Sequence, residues 1–491
     1  MSHPHNVTIS ASHDSPVGDG STERRRQDSS DITQMEFEVD SPLQDASSSR
    51  MRTINSILVV LAAFLAMFTT CGLNFAFGVY QELYESMSAS DDPNPFTGAS
   101  PAQIGLIGTL AVSLMSLGAP LASAWCKSYS PRTITLVGGV IFAIANVLAS
   151  FSQKLWQFML TQGILLGLGT CLTYIPAVTV SPGWFNKHRG LAIGIVTSGT
   201  GVGGVAWAPT LRALNESIGF RNTLRFTGGI SFLLVGFSSI MLRWEPETEQ
   251  RNRIEIQSSQ SRFFVPLINW RVARSRKFIA QCMSAGLQGA AYYAPVYFFS
   301  SYARTLGYSA ATGATFIALS NAASAIGKVV IGFTADRVGR MNMLLFCTLV
   351  SAAVAFGLWL PSTLYGGDGK GKVLFVTFTI LYGIFAGAYI SLLPTVLVEL
   401  FGVQHFVSVN GFLYMVRGIT SLIGTPVAGA LISGSSVSTD SAGMSKSYMK
   451  TTILIGALLA GATLGVTWAR IEAALGLGIG RHGLSRIEWR A

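Results

Sequence analysis

Apolar residues run through this chain in long blocks and do not alternate with polar ones. From residue 53 onward, twelve mostly apolar segments, each about 20 residues long, are separated by polar stretches, and that is the length needed to cross the hydrocarbon of a bilayer as a helix. They lie at 56–80, 103–125, 133–151, 156–180, 190–211, 223–242, 278–302, 312–334, 342–361, 373–398, 406–432 and 450–470. A longer polar stretch, 243–277, divides them six and six, and the flanking blocks 53–242 and 278–470 are almost equal in length. Such equality is the hydropathy signature of an internally duplicated carrier. The predicted architecture is all-α: twelve transmembrane helices in two pseudo-symmetric six-helix bundles. Residues 1–52 form a disordered cytoplasmic tail, 243–277 a cytoplasmic central loop and 471–491 a C-terminal tail.

Composition sharpens the picture. Of 491 residues 49% are hydrophobic and 12% charged, about half the charged share of soluble domains, and the mean hydropathy is +0.45. A water-soluble globule is excluded. The tail 1–52 is Ser-rich, carries Arg24, Arg25 and Arg26, and shows no apolar periodicity. It lacks the apolar core and cleavage site of a signal peptide, so the first span is expected to remain as an anchor. The formal charge of +10 is concentrated in short stretches between spans. With both termini in the cytoplasm, 23 Lys and Arg lie on the inner side and nine on the outer, the asymmetry of a membrane protein with an inward amino terminus. No basic stripe is interleaved with aromatics, so the expected surroundings are lipid, with no nucleic-acid partner. This orientation puts the sequon Asn215-Glu216-Ser217 outside, close to a membrane end, as an acceptor for glycosylation. The five cysteines have no C-x-x-C spacing and read as small buried hydrophobes. The six histidines make no metal pair, and no facing His, Asp or Ser constellation lies at membrane depth. Neither metal, cofactor nor enzymatic activity is expected.

The most specific string leaves the eighth span: Gly332-Phe333-Thr334-Ala335-Asp336-Arg337-Val338-Gly339-Arg340. It resembles the G-x-x-A-D-x-x-G-R loop of the major facilitator superfamily, carried between helices 2 and 3 and again between helices 8 and 9. The resemblance implies a gate: the glycines permit close approach and a tight turn, and Asp336 meets a neighbouring helix end or Arg in a charge network that breaks as the halves rock. The first-half counterpart, Gly118 to Arg132, is degenerate, with Trp125 or Cys126 where the acid would fall. A second string, Gly183-Trp184-Phe185-Asn186-Lys187-His188-Arg189-Gly190-Leu191-Ala192-Ile193-Gly194, is similar to the motif opening the fifth helix of monocarboxylate porters. Asn74 to Tyr80 and Gly424 to Gly429 look like that family's fungal members. Against the animal porters, the D-G-G-W-G-W entry to helix 1 is absent, the helix 1 lysine position is Val79, and the Asp and Arg positions of helix 8 are Ser324 and Lys328. The cation is kept and the acid is not.

Two cations inside the spans carry the functional expectation. Lys328 precedes Asp336 by eight residues, about 12 Å of helix, and Arg417 is twelve residues from His405, about 18 Å. No Asp or Glu lies at mid-membrane. A charge there costs about 2.5–3.5 kcal/mol on insertion scales and persists mostly where it faces a wet cavity with a partner. An anionic ligand is the natural partner. The alternatives are snorkelling for Lys328 and hydrogen bonding to a neighbouring helix for Arg417. Gln288, Tyr292, Asn321 and Asn74 are the preferred further contacts, each weighed against an ordinary interhelical hydrogen bond. Gate residues are Asp336, Arg337, Gly339, Arg340 and Gly332. The whole reads as a monomeric carrier of an organic anion, a monocarboxylate or carboxylated metabolite, working by alternating access in the cell membrane, with the vacuolar membrane as the alternative address. Efflux of a neutral secondary metabolite is the rival, and a non-transporting sensor the remoter one.

Overall fold

The computed structural model describes residues 50–88, 90, 92–185, 187–258, 270–433 and 445–478. The expectations for residues 1–49, for 259–269 of the central loop and for 479–491 lie outside the described residues. The chain divides into an amino-terminal unit ending at Asn55, described only as the helical residues 50–55, and one unit from Ser56 onward.

Helices cover all twelve predicted spans, and no strand occurs among the described residues. Spans 1 and 3 to 6 are Arg50–Ser88, Pro131–Phe151, Leu155–Trp184, Arg189–Ile218 and Phe220–Met241. Span 2 is a bent pair, Pro101–Leu117 and Ala119–Ser128, angled by 45°. Its break sits at Gly118 just before Pro120, which has no N–H to continue the backbone ladder. Its start is fixed by a capping box between Ser100 and Gln103. Spans 7, 8, 9 and 12 are Arg276–Thr305, Ala310–Val338, Arg340–Tyr365 and Met449–Gly478. The helical stretch Gly369–Ser433 contains spans 10 and 11, separated at Gly402, whose φ of 74° and ψ of 162° end one helix and start the next. Only glycine takes that conformation at little cost. Nine of the described helices are long and apolar enough to cross a bilayer, ten with the bent pair. Span 7 is less apolar, its buried face carrying Gln281, Ser284, Gln288, Tyr292 and Tyr293.

Large apolar side chains such as Leu233 and Ile240 of span 6, Ile326 of span 8 and Leu464 of span 12 point outward, as lipid-facing residues do. Inside, spans are tied by hydroxyls and amides. Asn74 Nδ2 donates to Thr170 Oγ1 at 2.8 Å, and Thr173 Oγ1 to Thr70 Oγ1 at 3.1 Å, fastening span 1 to span 4. Next to the central stretch, the chain leaving span 6 is held by two indoles: Trp184 Nε1 donates to Arg243 O at 3.0 Å and Trp244 Nε1 to Cys126 O at 3.3 Å. The central loop then opens with the helix Pro246–Ser258.

Span 5 lies antiparallel against span 8 with unusually little between them. A Cβ on Gly190 would strike the carbonyl oxygen of Gly332, and one on Gly332 would strike that of Gly190; Gly194 meets Lys328 O and Gly201 meets Asn321 O in the same way. The seam runs from Gly190 to Gly204, about 20 Å of helix. Alanine normally favours a helix over glycine by up to about 1 kcal/mol, but overpacking costs about 1–3 kcal/mol. Gly201→Ala is therefore expected to lower the melting temperature of the purified protein. Gly229→Ala on span 6, where a Cβ meets nothing within 4 Å, should raise it or leave it unchanged. Equal shifts in a thermal melt would mean that the seam yields freely.

Candidate functional site

Arg417 sits on span 11 with 4% of its surface exposed. Span 11 comes close to span 7 because a Cβ at Gly289 would lie only 3.0 Å from Arg417 Cα. That approach lets Arg417 Nη1 donate to Gln288 Oε1. The guanidinium carbon lies 5.3 Å from the centre of the Tyr389 ring of span 10, a cation–π contact. Tyr389 is itself held by Ser284, Oη to Oγ 3.2 Å. Gln288 is 1% exposed, and its amide nitrogen is buried with no acceptor. A buried donor without a partner is costly, and it lies beside a guanidinium that forms no ion pair with any described carboxylate.

Aromatic rings surround this cation. Tyr414, three residues before Arg417, shares a hydrogen bond with Tyr174 of span 4, Oη to Oη 3.0 Å. Tyr292 and Tyr293 of span 7 pack edge to face at 4.8 Å between centroids, and Tyr293 reaches Phe75 of span 1 at 6.5 Å. Spans 1, 4, 7, 10 and 11 thus converge on one donor-rich, aromatic-walled locus.

Lys328 lies at similar depth in a different setting. It is 2% exposed, and its ammonium donates to Thr200 Oγ1 at 2.7 Å and Thr197 O at 3.2 Å, both on span 5. On span 10, a Cβ at Gly387 would lie 3.6 Å from Lys328 Cε, while Tyr389 carries the contact to Arg417. Two residues turn a helix by about 200° and raise it by about 3 Å. The two cations therefore approach span 10 from different sides at nearly one level. Ser324, one turn before Lys328, has a buried hydroxyl without a partner, and Asn321, a turn further, is buried against Gly204.

Of the residues singled out from sequence, the structure brings Gln288 to Arg417 and places Tyr292 in the neighbouring aromatic wall. Asn321 shares the span 8 face with Lys328. Asn74 turns elsewhere: it is committed to Thr170 and lines a separate small cavity with Tyr80, Asn146, Gln162 and Thr227. Sequence reasoning passed over Thr197, Thr200 and Tyr414. Thr200 offers only a hydroxyl, Thr197 only a backbone carbonyl and Tyr414 only a phenol that meets Tyr174, and such groups are frequent throughout these spans.

At the Gly190–Gly332 end of the seam, Asp336 accepts from the backbone N–H of Gly190 and of Leu191, each at 2.9 Å, and pairs with Arg340 at 2.9 Å. It thus sits on the amino end of span 5, where the helix dipole favours negative charge. Gly339, φ 107°, makes the turn into span 9. Arg337 stays outside this network, stacked 4.2 Å over Phe333. In the first-half loop the carbonyl of Cys126 receives the Trp244 indole, a neutral bond where the second half has a charged one. Asn215 lies in the last turn of span 5 with both amide atoms out of solvent reach, so attachment of a glycan there would have to precede folding of that turn.

Known sequences agree with this architecture. The profile of the Major Facilitator Superfamily matches residues 59–425. The chain is 27% identical over 413 residues to an MFS-type transporter of Gibberella moniliformis, covering 84% of this chain and 89% of that protein. It is 26% identical over 426 residues to the agnestins efflux protein AgnL12 of Paecilomyces divaricatus, covering 87% and 89%. It is 31% identical over 344 residues to the uncharacterized transporter ESBP6 of Saccharomyces cerevisiae, covering 70% and 49%. With twelve helical spans, an Asp336 loop bonded across the span 5–span 8 seam and a family match over most of its length, the chain belongs to the Major Facilitator Superfamily and is a multi-pass membrane transporter of that family.

Proposed function

We propose that this transporter moves an organic anion, a monocarboxylate or carboxylated metabolite with an apolar or aromatic body, through a site centred on Arg417. The observation that carries this reading is the pairing of a buried guanidinium with the unpartnered Gln288 amide nitrogen, with no described carboxylate to neutralise them. A carboxylate supplies two oxygens for two such donors, and the charge-assisted bonds it makes are about twice as strong as neutral ones. Tyr292, Tyr293 and Phe75 give the rest of the molecule ring faces to pack on. Residues 53–242 and 278–470 act as the rocking halves, and Asp336, Arg340, Gly332 and Gly339 form the gate. The cell membrane is the proposed address and one chain the working unit.

A second reading, efflux of a neutral secondary metabolite, is favoured by two facts. AgnL12 is named as an efflux protein, and both buried cations already have neutral partners within the chain. A metabolite comparison of cells with and without the protein separates the two. The anion reading expects the compounds whose distribution changes to carry a carboxylate or other acid at neutral pH. A set made up only of neutral compounds would replace it with the second.

A further inference from the structure

We propose that Thr200 and Thr197 of span 5 hold Lys328 in the place of cargo, so that one cation latches the span 5–span 8 seam in the empty carrier and binds an anion when the seam parts. The inference rests on the organic-anion reading for its second half only.

The geometry of Thr200 is that of a dedicated acceptor. Its hydroxyl donates to Thr197 O at 2.8 Å, which turns its lone pairs toward Lys328, whose Nζ lies 2.7 Å away. The same Thr197 carbonyl takes a second bond from Nζ at 3.2 Å. All three residues are buried. An ammonium offers three donors, and here its described acceptors are two neutral oxygens, both on the opposite helix. Movement of span 5 away from span 8 therefore removes every described hydrogen bond of this cation at once and leaves the empty carrier only the water of the opened cleft to replace them. A carboxylate would replace them with a stronger, charge-assisted bond. The unpartnered hydroxyl of Ser324, one turn away on the same helix, offers a second donor for it. Opening without cargo is then unfavourable and opening with cargo is not. The carrier exchanges one anion for another faster than it returns empty.

The tie can be tested without knowing the cargo. Gly190 N–H and Leu191 N–H are bonded to Asp336 across the Gly190–Gly332 end of this seam, so their hydrogen exchange reports its opening. In the full chain reconstituted in lipid nanodiscs without added ligand, Thr200→Val should speed exchange in residues 187–195 about tenfold, the factor that loss of one charge-linked hydrogen bond represents. Thr200→Ser should match the wild type. In a Lys328→Met background, Thr200→Val should change nothing further, because the two residues act as one pair. Wild-type exchange in Thr200→Val, or effects of the two substitutions that simply add, would overturn the latch; if the valine variant does not fold, Thr200→Ala takes its place in the same cycle. Sodium benzoate added to the wild type should raise exchange toward the Thr200→Val level, and benzyl alcohol should not. Benzoate without effect, in protein where the cycle behaves as stated, would remove the cargo half and count against the organic-anion reading while the tie stands.

Discussion

Replacing Arg417 by Gln is expected to reduce flux of the transported anion about 100-fold or more, with the amount of protein at the membrane unchanged. A hydrogen bond to a charged group is worth about 1.5–3 kcal/mol, and each 1.4 kcal/mol is a factor of ten, so loss of a single such contact already costs about 10- to 150-fold. A guanidinium binding a carboxylate through two parallel bonds loses more than one. The fold should tolerate the change, because the Gln side chain can still donate to Gln288 Oε1, the acceptor that Arg417 serves now, and no carboxylate is left stranded. Arg417→Lys separates charge from shape. It keeps the cation but loses the planar fork and the stacking over Tyr389, so about a tenth of the flux should remain. Uptake or efflux of the anion found by metabolite comparison, normalised to surface-labelled protein, is the measurement. Unchanged flux in Arg417→Gln would remove this residue from the site.

The spans were legible because a bilayer sets their length. The third, expected from hydropathy at 133–151, is Pro131–Phe151, and the sixth, expected at 223–242, is Phe220–Met241. Where helices outrun the hydrocarbon, the reading stops short. Span 5 continues past residue 211 to Ile218 through Arg212 and Glu216, which pair at 3.3 Å along the helix, since a helix needs no apolar surface once it reaches water. Arg417 and Lys328 stood out because charge inside a span is rare and costly. Gln288 stood out as an amide inside a span, but the Lys328 partners Thr197 and Thr200 did not, because hydropathy fixes depth and says nothing of rotation, and each residue turns the helix by about 100°. Asn74 reads from sequence as a polar intramembrane candidate, and its rotation takes it to an interhelical bond with Thr170. Thr200 is ordinary by composition, and only packing against span 8 shows that its hydroxyl meets an ammonium. The contact from Gln288 to Arg417 joins residues 129 apart in the chain, a separation over which one sequence carries no pairing signal.

Asp336→Asn should have the opposite kinetic signature, a turnover that falls about tenfold or more while half-saturation moves by less than about threefold. The Asp336 carboxylate has two oxygens for two backbone N–H groups of span 5 and holds Arg340 besides, with only 4% of its side chain exposed. Asn has the same shape but one oxygen, so either Gly190 or Leu191 faces an amide nitrogen in place of an acceptor. The negative charge opposite the helix terminus and Arg340 is lost as well. Together these cost about 2–3 kcal/mol, about 30- to 150-fold in the equilibrium that keeps this end of the seam closed. If the closed form holds about 99% of the wild type, a 100-fold loss leaves about half, which alters an apparent affinity by only about twofold. Re-forming the closed state loses its driving force, and every cycle passes through it. Arg417 touches cargo in the proposed site and should act through binding; Asp336 acts on the conformational step and should slow all cargoes alike. Wild-type turnover in Asp336→Asn, or a half-saturation that rises as much as turnover falls, would mean that the loop is a passive turn and that closure of the span 5–span 8 seam is held by its glycine packing and the Lys328 tie without it.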